Sequence, residues 1–270
     1  MKLGIGTYTF MWSIGFPGAE PVQPMNAFDL LGKAREFGVR LVQYGPNLSL
    51  ANLGAEELSS FVDSAQKWGI SIEIGTQGLE TKNLREQLSL AKRAGCRLLR
   101  TTTEGANGLT IPVDEMRERI LAVVPDLEEQ DVFLAIENGR VAAATLAELV
   151  RSARSAHVGI TLDTVNSLAI SEGTQYVIET LSPHVRSLHV KDFAVERLWH
   201  RMGFSVQGRA AGRGQLDVPE LLQTLGQVNP EANAILELWP PEQATLEDTI
   251  RLENSWVEES ISYLRRYIAE

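Results

Sequence analysis

Four residues that can bind a metal ion follow four successive apolar, strand-like segments in the second half of the sequence. They are Glu137, Asp163, His189 and Glu237, and each comes where its segment should end. Taken singly, such a carboxylate is usually salt-bridged or solvated. Three carboxylates at one apolar rim repel one another, and burial raises the cost, so a shared divalent cation resolves the conflict. Three oxygen ligands and one nitrogen ligand suit Mn²⁺, our first expectation, and also Mg²⁺, Co²⁺ or Zn²⁺.

A lysine lies two residues beyond the histidine, in the segment VRSLHVKDF. Side chains alternate between the two faces of a strand, so His189 and Lys191 share one face. Lys191 is therefore a candidate for catalysis, as a proton donor, and for substrate binding, as the partner of an anionic group. The alternative is that Lys191 pairs with the neighbouring Asp192 or with a ligand carboxylate.

Three further residues are candidates for substrate binding. Asn166 follows the aspartate of the candidate metal site, Arg213 lies in a glycine-rich loop, and Tyr44 ends a strand-like segment. A guanidinium binds a carboxylate or a phosphate through two hydrogen bonds. A turn asparagine and a solvated arginine are equally simple explanations for the first two. Glu73 and Arg100 also lie toward strand ends, and we expect them to pair with each other.

Eight apolar, β-rich segments alternate with segments of helical periodicity. The eight cover residues 2–8, 39–44, 70–75, 96–102, 132–137, 158–163, 185–191 and 234–238. Glycines 38, 69 and 95 each stand between a helical segment and the next strand, where glycine tolerates the left-handed conformation that ends a helix. Regular alternation predicts parallel strands with helical crossovers. Eight units in 270 residues favour an α/β fold, a (β/α)8 TIM barrel whose single domain spans residues 1–270.

An open, doubly wound sheet is the alternative fold. Against it, the sequence has neither GxGxxG after the first strand nor GxxxxGK[ST] anywhere, which are the nucleotide-binding motifs of such sheets. In a barrel the active site lies at the carboxyl ends of the strands, where the four candidate ligands are expected. Residues 194–216 contain four glycines and several arginines, and we expect them to form an irregular functional loop over the barrel mouth.

Composition and charge limit the partners and the compartment. With 44% hydrophobic and 22% charged residues, the chain can bury a large core. Its formal net charge of −10 repels a phosphate backbone, so we expect no nucleic acid partner. The sequence has no apolar run long enough to span a bilayer, and its N-terminus lacks a signal-peptide pattern, so we expect no membrane partner. The single cysteine, Cys96, excludes a disulfide framework and fits a cytoplasmic protein.

Five motifs in the C-terminal half carry a resemblance to a known family. They are IEN at Glu137, LDTVN at Asp163, HVKD at His189, GRGQLD at residues 212–217 and LELW at Glu237. With them, the chain resembles the xylose isomerase-like TIM barrels, a superfamily that includes sugar phosphate isomerases and epimerases and endonuclease IV. The resemblance implies that the four candidate ligands bind the metal and that the substrate is a small-molecule carbohydrate. It also implies that a homo-oligomer is a common state for such a barrel.

The segments GIGTYTF, IEIGTQGL and LDTVNS resemble a narrower subgroup, which is associated with decarboxylation of 3-oxo-isoapionate, a branched oxo sugar acid. Gly139 departs from that subgroup, in which a histidine is expected directly after the Glu-Asn pair. This departure concerns the substrate and leaves the expected metal ligands unchanged.

Three functions are compatible with these residues. The first is a divalent-metal-dependent isomerase or epimerase of a hydroxy-ketone or hydroxy-aldehyde sugar. In such an enzyme Glu137 and Glu237 would be the acid/base pair, acting on a metal-stabilised enediolate. The second is a metal-dependent lyase that decarboxylates an oxo sugar acid such as 3-oxo-isoapionate, in which Lys191 holds the leaving carboxylate or donates the proton. The third is a metal-binding scaffold or a nuclease like endonuclease IV, and the acidic charge disfavours the nuclease.

Overall fold

Eight parallel strands close into a barrel in the computed structural model, which describes residues 1–105 and 107–268. Neighbouring strands follow chain order around the ring, and the last barrel strand pairs with the first. The prediction of a (β/α)8 TIM barrel is confirmed. Strands β8 and β9 form a separate two-stranded sheet. The strands are β1 (Leu3–Gly6), β2 (Leu41–Tyr44), β3 (Ser71–Gly75), β4 (Leu98–Thr102), β5 (Phe133–Glu137), β6 (Val158–Asp163), β7 (Val185–Val190), β8 (Asp192–Arg197), β9 (Phe204–Arg209) and β10 (Asn233–Leu236).

Helices follow the barrel strands and cover the ring from outside. They are α1 (Met11–Ile14), α2 (Ala27–Phe37), α3 (Ala55–Trp68), α4 (Thr81–Ala94), α5 (Val113–Gln130), α6 (Ala143–Ser152), α7 (Thr174–Leu181), α8 (Val218–Val228) and α9 (Leu246–Leu264). Glycines 38, 69 and 95 end α2, α3 and α4 with φ angles of 67°, 65° and 64°. Because this left-handed conformation is sterically free only for glycine, the predicted helix ends are confirmed.

Apolar side chains fill the layer between the strands and the helices. Leu30 and Leu31 of α2, Phe61 of α3 and Leu84 and Leu88 of α4 are completely buried. Each such side chain contributes about 1.5–3 kcal/mol to folding, and together they hold the strands in a fixed register. Among the described residues, no helix is both long and apolar enough to cross a membrane.

The register of the strands sets the height of each residue at the barrel rim. Asp163 on β6 is level with His189 on β7. Glu137, the last residue of β5, is level with Thr161 on β6. Glu237 directly follows the last residue of β10. Parallel strands all emerge at the same end of the barrel, so the four candidate ligands lie along one arc of the rim.

The segment expected to be an irregular loop, residues 194–216, is largely an antiparallel hairpin. β8 pairs with β9 along its whole length, from Asp192 opposite Arg209 to Arg197 opposite Phe204. The expectation was wrong because the glycines and arginines obscured the aromatic and β-branched residues of FAVE and FSVQ, which are typical of strands. Only residues 198–203 at the hairpin tip and the residues after β9 are irregular.

Candidate active site

Three of the four predicted metal ligands converge at the carboxyl ends of the strands. Glu137, Asp163 and His189 each offer one ligand atom, and these atoms all lie within 4.8 Å of one another. All three side chains are buried. One imidazole and two carboxylates at this separation form a group that one divalent ion can bridge.

Glu237 lies beside this group and contacts it through the histidine. Oε1 of Glu237 is 3.1 Å from Nδ1 of His189, and Oε2 of Glu137 is 3.4 Å from the same nitrogen. Nδ1 is buried and has no hydrogen-bond partner in the described part of the chain. A buried nitrogen that faces carboxylate oxygens without a hydrogen bond fits a metal ligand, because a cation would satisfy the nitrogen and the oxygens together.

Lys191 lies between two of the carboxylates. Its Nζ atom is 2.7 Å from Oδ2 of Asp163 and 2.7 Å from Oε2 of Glu237, and its side chain is 16% exposed. The alternative pairing with Asp192 is not formed, because the Asp192 carboxylate accepts backbone N–H groups of a following loop. The lysine that was predicted from the HVKD motif is therefore part of the cluster.

Arg100 on β4 is a second cation of the cluster. Its Nε donates to Oε2 of Glu137, and the two side chains are 7% and 3% exposed. The expected pairing of Arg100 with Glu73 is wrong, since Glu73 accepts a hydrogen bond from Gln43 instead. Arg100 is level with Gly75, two residues above Glu73 on β3, and so reaches the rim. A charged residue inside an apolar strand segment was the available signal, because such a residue needs a buried partner.

Two carboxylates of the cluster are held ionised by the cations around them. Burial opposes ionisation of Glu137, but Arg100 and His189 outweigh burial, so the pKa of Glu137 falls well below its usual range. Burial likewise opposes ionisation of Glu237, and His189 and Lys191 outweigh it and lower the pKa of Glu237. Both glutamates are therefore available as anionic ligands or bases at neutral pH.

The pKa values of Asp163 and His189 are raised, in contrast to those of the two glutamates. Burial raises the pKa of Asp163, and the nearby charges of Glu137 and Glu237 add to it, against the lowering effect of Lys191. Burial lowers the pKa of His189, but the two glutamates outweigh burial and raise it. This concentration of negative charge around one imidazole is what a divalent cation would relieve.

Asn166 lies against the cluster. Its Nδ2 donates to Oε1 of Glu137 at 2.7 Å, and its backbone N–H donates to Oδ1 of Asp163 at 2.8 Å. Asn138 braces the backbone of Asp163, accepting from its N–H at 2.7 Å and donating to its carbonyl at 3.0 Å. Asn166 is thus both a turn residue and a neighbour of a candidate ligand, and its contact with substrate stays a prediction.

Two of the predicted substrate-binding residues lie away from the cluster. Tyr44 is completely buried among the helices, where its hydroxyl donates to a backbone carbonyl of α2 and its ring packs edge-on against Phe61. Its neighbour Gln43 takes the inward face of β2, which turns Tyr44 outward. The side chain of Arg213 is 69% exposed and pairs with Glu259 on α9. The structure therefore places neither side chain at the cluster.

Tyr8 and a small cavity lie beside the cluster. The backbone carbonyl of Tyr8 accepts from the N–H of Leu238, next to Glu237. Burial raises the pKa of Tyr8, and the charged groups of the cluster act on it as well. A cavity of about 200 Å³ opens beside Glu137, with Gly139 and Arg140 in its wall. A Cβ atom at Gly139 would lie 3.3 Å from Cβ of Asn166, so a larger residue would crowd this wall. The polar lining suits a hydroxylated small molecule.

Asp192 organises the glycine-rich loop that follows the hairpin. Its two carboxylate oxygens accept the backbone N–H groups of Phe193, Gly212, Gly214 and Leu216 at distances of 2.8–3.1 Å. A Cβ atom at Gly214 would lie 2.1 Å from Oδ1 of Asp192, so only glycine fits there. The HVKD and GRGQLD motifs are therefore joined in one structural unit.

Comparison with known proteins agrees with this fold. The family model of the xylose isomerase-like TIM barrel matches residues 10–267. The chain is 32% identical, over 265 residues, to a 3-oxo-isoapionate decarboxylase of Pectobacterium atrosepticum, with 98% of this chain and 95% of that protein covered. A D-psicose 3-epimerase crystallised in the presence of D-fructose has a similar fold, with a TM-score of 0.73, 16% identity and 100% of both chains covered. A xylose isomerase-like TIM barrel protein from Mycobacterium smegmatis, crystallised in complex with magnesium, also has a similar fold, with a TM-score of 0.70, 13% identity and 97% of both chains covered. The chain belongs to the xylose isomerase-like TIM barrel family.

Proposed function

We propose that this protein is a divalent-metal-dependent decarboxylase of an oxo sugar acid. The observation that carries the proposal is a pair of cations, the buried Arg100 and the partly buried Lys191, within a cluster of three carboxylates. With a neutral imidazole, these groups leave one formal negative charge, which a divalent ion turns into one formal positive charge. Such a site favours an anionic substrate over a neutral sugar. The 32% identical relative, a 3-oxo-isoapionate decarboxylase, supports the same class of substrate.

The metal would be held by Glu137, Asp163 and His189, with Glu237 as a fourth ligand. The unpartnered Nδ1 of His189 and the carboxylates near it fit Mn²⁺ first, and Mg²⁺, Co²⁺ or Zn²⁺ as well, because each accepts oxygen and nitrogen ligands together. When bound, such an ion polarises a carbonyl group and its neighbouring hydroxyl. Lys191 lies at the edge of the group, where a substrate carboxylate can replace one of its two carboxylate partners.

Residues of the chain supply the other parts of the reaction. The ammonium of Lys191 binds the substrate carboxylate next to the hydroxylated carbon. The bond between the carboxylate and this carbon breaks, CO₂ leaves, and the electron pair moves into the neighbouring carbonyl to give an enediolate. Lys191, which lies 2.7 Å from Glu237, then returns a proton to the carbon, and Glu237 holds the lysine in place. Asn166 holds Glu137 in position by its hydrogen bond.

One observation favours isomerisation or epimerisation as a second candidate function. Glu137 and Glu237 approach Nδ1 of His189 from two different strands, so both carboxylates face the same space. In this candidate function one glutamate removes a proton from a carbon next to a carbonyl, and the other returns a proton to the substrate. No carboxylate leaves, so Lys191 would bind a hydroxyl or a phosphate.

The nuclease hypothesis has little support at this site. A site with several zinc ions needs many ligands, and of the four histidines, all within the described ranges, His189 alone contributes to the cluster. His157 contacts Asp131 instead, at 3.2 Å, before β6 begins. The formal net charge of −10 also disfavours binding to a nucleic acid.

The proposed function is tested with the Mn²⁺-loaded protein in D₂O, by NMR together with detection of CO₂. Given 3-oxo sugar acids such as 3-oxo-isoapionate, the protein is expected to release CO₂ and to leave one deuterium on the product carbon. Given neutral ketoses, it is expected to be inactive, whereas deuterium exchange into a ketose without CO₂ would support the second candidate. Glu137→Gln should abolish turnover and leave the fold intact. Failure to convert any carbohydrate would support the scaffold.

A further inference from the structure

A chain of polar side chains crosses the barrel interior from Glu73 to His189. Nε2 of Gln43 is 2.9 Å from Oε2 of Glu73, and Oε1 of Gln43 is 2.8 Å from Nε2 of His189. Glu73, Gln43 and His189 are 2%, 4% and 0% exposed, so no bulk water competes for these contacts. Glu73 also accepts hydrogen bonds from Asn233 and Ser187. The reaction described above uses neither Glu73 nor Gln43.

The roles of donor and acceptor fix the orientation of the Gln43 amide. The Glu73 carboxylate is the common acceptor of several donors, so it faces the NH₂ end of Gln43. The carbonyl end of Gln43 then faces Nε2 of His189, and a carbonyl oxygen can only accept. Nε2 must therefore carry a hydrogen. In the neutral ring the lone pair is left on Nδ1, the atom that faces Glu137 and Glu237.

We propose that Gln43, oriented by Glu73, is a positioning residue that fixes the ring proton of His189 on Nε2 and so presents Nδ1 to a divalent metal ion. The inference rests on the proposed function for the metal, whereas the position of the proton is a property of the protein alone. Without Gln43, the neutral ring would place its proton on Nδ1, where Oε1 of Glu237 is an acceptor at 3.1 Å. A ring protonated on Nδ1 cannot bind a metal ion through that atom.

The decisive variant is Gln43→Leu, which removes the acceptor and keeps a side chain of similar size. Nitrogen-15 NMR of the histidine rings in the metal-free protein, at a pH at which the His189 ring is neutral, reports which nitrogen carries the proton, and calorimetry with Mn²⁺ measures affinity. In the wild-type protein we expect a slowly exchanging Nε2–H signal from His189. In Gln43→Leu we expect that signal to disappear and Mn²⁺ affinity to fall about 10- to 100-fold. Glu73→Gln should weaken binding less, because the amide of Gln43 can then adopt either orientation.

Two further variants separate positioning from packing. The double variant Gln43→Glu with Glu73→Gln exchanges the donor and the acceptor between positions 43 and 73 and keeps an acceptor for Nε2–H, so it should recover most of the affinity. Thr161→Val removes a buried hydroxyl of the barrel interior that has no hydrogen-bond partner in the described ranges, and it should change neither measurement. An Nε2 without a proton in the wild-type protein, or wild-type affinity in Gln43→Leu, would overturn the inference. If the wild-type protein binds no Mn²⁺, the proposed function fails, and the Nε2–H signal of the metal-free protein still decides where the proton lies.

Discussion

Arg100 donates a buried hydrogen bond to Glu137 from the neighbouring strand β4. Burial raises the pKa of Glu137, and the guanidinium outweighs burial, so the carboxylate stays ionised as the pH falls. We expect Arg100→Gln to raise this pKa, so that protons compete with the metal. Mn²⁺ affinity, measured by calorimetry, should then fall more steeply as the pH is lowered than it does in the wild-type protein.

The matched control for this prediction is Arg85→Gln. Arg85 pairs with Asp126 at 2.9 Å on the helical surface, where its side chain is 55% exposed. The Mn²⁺ affinity of the Arg85→Gln variant should therefore depend on pH in the same way as that of the wild-type protein. Parallel curves for Arg100→Gln and the wild-type protein would contradict the role assigned to Arg100.

Lys191→Ala tests the separation of catalysis from metal binding. None of the candidate ligands is lost in this variant, and an ammonium no longer competes for Asp163 and Glu237. We expect CO₂ release to fall about 100-fold or more, with Mn²⁺ affinity equal to or above that of the wild-type protein. Arg213→Ala, which changes an exposed arginine paired with Glu259, should decarboxylate at the wild-type rate. A loss of metal together with activity in Lys191→Ala would show that the lysine maintains the site.

Gly214→Ala tests the contact between the two motifs after β7. The new methyl group would meet the Asp192 carboxylate, whose oxygens already accept four backbone N–H groups. We expect the free energy of unfolding in urea to fall by at least about 2 kcal/mol. In the control Gly226→Ala, within α8, a Cβ meets nothing within 4 Å, and stability should rise by about 0.5–1 kcal/mol. Equal effects of the two variants would contradict the assigned contact.

Glu253 on α9 gives the stability a predictable dependence on pH. Its carboxylate accepts the backbone N–H groups of Trp12 and Ser13 at 2.8 and 3.0 Å. Burial nevertheless raises its pKa from an ordinary 4.5 to about 7. Between these values the folded state keeps a proton that the unfolded state has released, so the contribution of Glu253 to stability falls as the pH rises and is constant above about pH 7.

This dependence is measured as the difference in free energy of unfolding between the wild-type protein and Glu253→Gln, which cannot titrate. We expect the wild-type protein to lose about 1–3 kcal/mol relative to the variant between about pH 5 and about pH 7.5. Other titrating groups are common to both proteins, so their effects cancel. A difference that stays constant with pH would contradict the raised pKa.

The barrel and the place of its candidate site were predictable because their signals are local and repeated. Apolar segments alternate with helical ones, and glycines 38, 69 and 95 end three helices without help from distant contacts. The same alternation puts Glu137, Asp163 and His189 at strand ends. Residues 194–216 departed from the prediction because a hairpin depends on pairing between two strands, which the turn-forming composition obscured.

The partners of the buried charges required the register between strands. Arg100 is level with Gly75 on β3 and Ala135 on β5, so Glu73 lies two residues below it and Glu137 two residues above. Sequence spacing does not distinguish these partners. The expectation that Tyr44 binds substrate failed to place its side chain for the same reason. A shift of one residue along a strand exchanges the inward and outward faces.

Lys191 and Asp192 are adjacent in the chain and have separate partners. The hairpin that begins at Asp192 can therefore vary in length independently of Lys191. The hairpin leaves the barrel at Asp192, and Gly212 and Gly214 return to the same carboxylate. The segment that includes the hairpin is thus bound at both ends to the Asp192 carboxylate. The neighbouring Lys191 is held separately, by Asp163 and Glu237. The hairpin tip, where Trp199 is 92% exposed, can therefore accept insertions or deletions without moving the lysine.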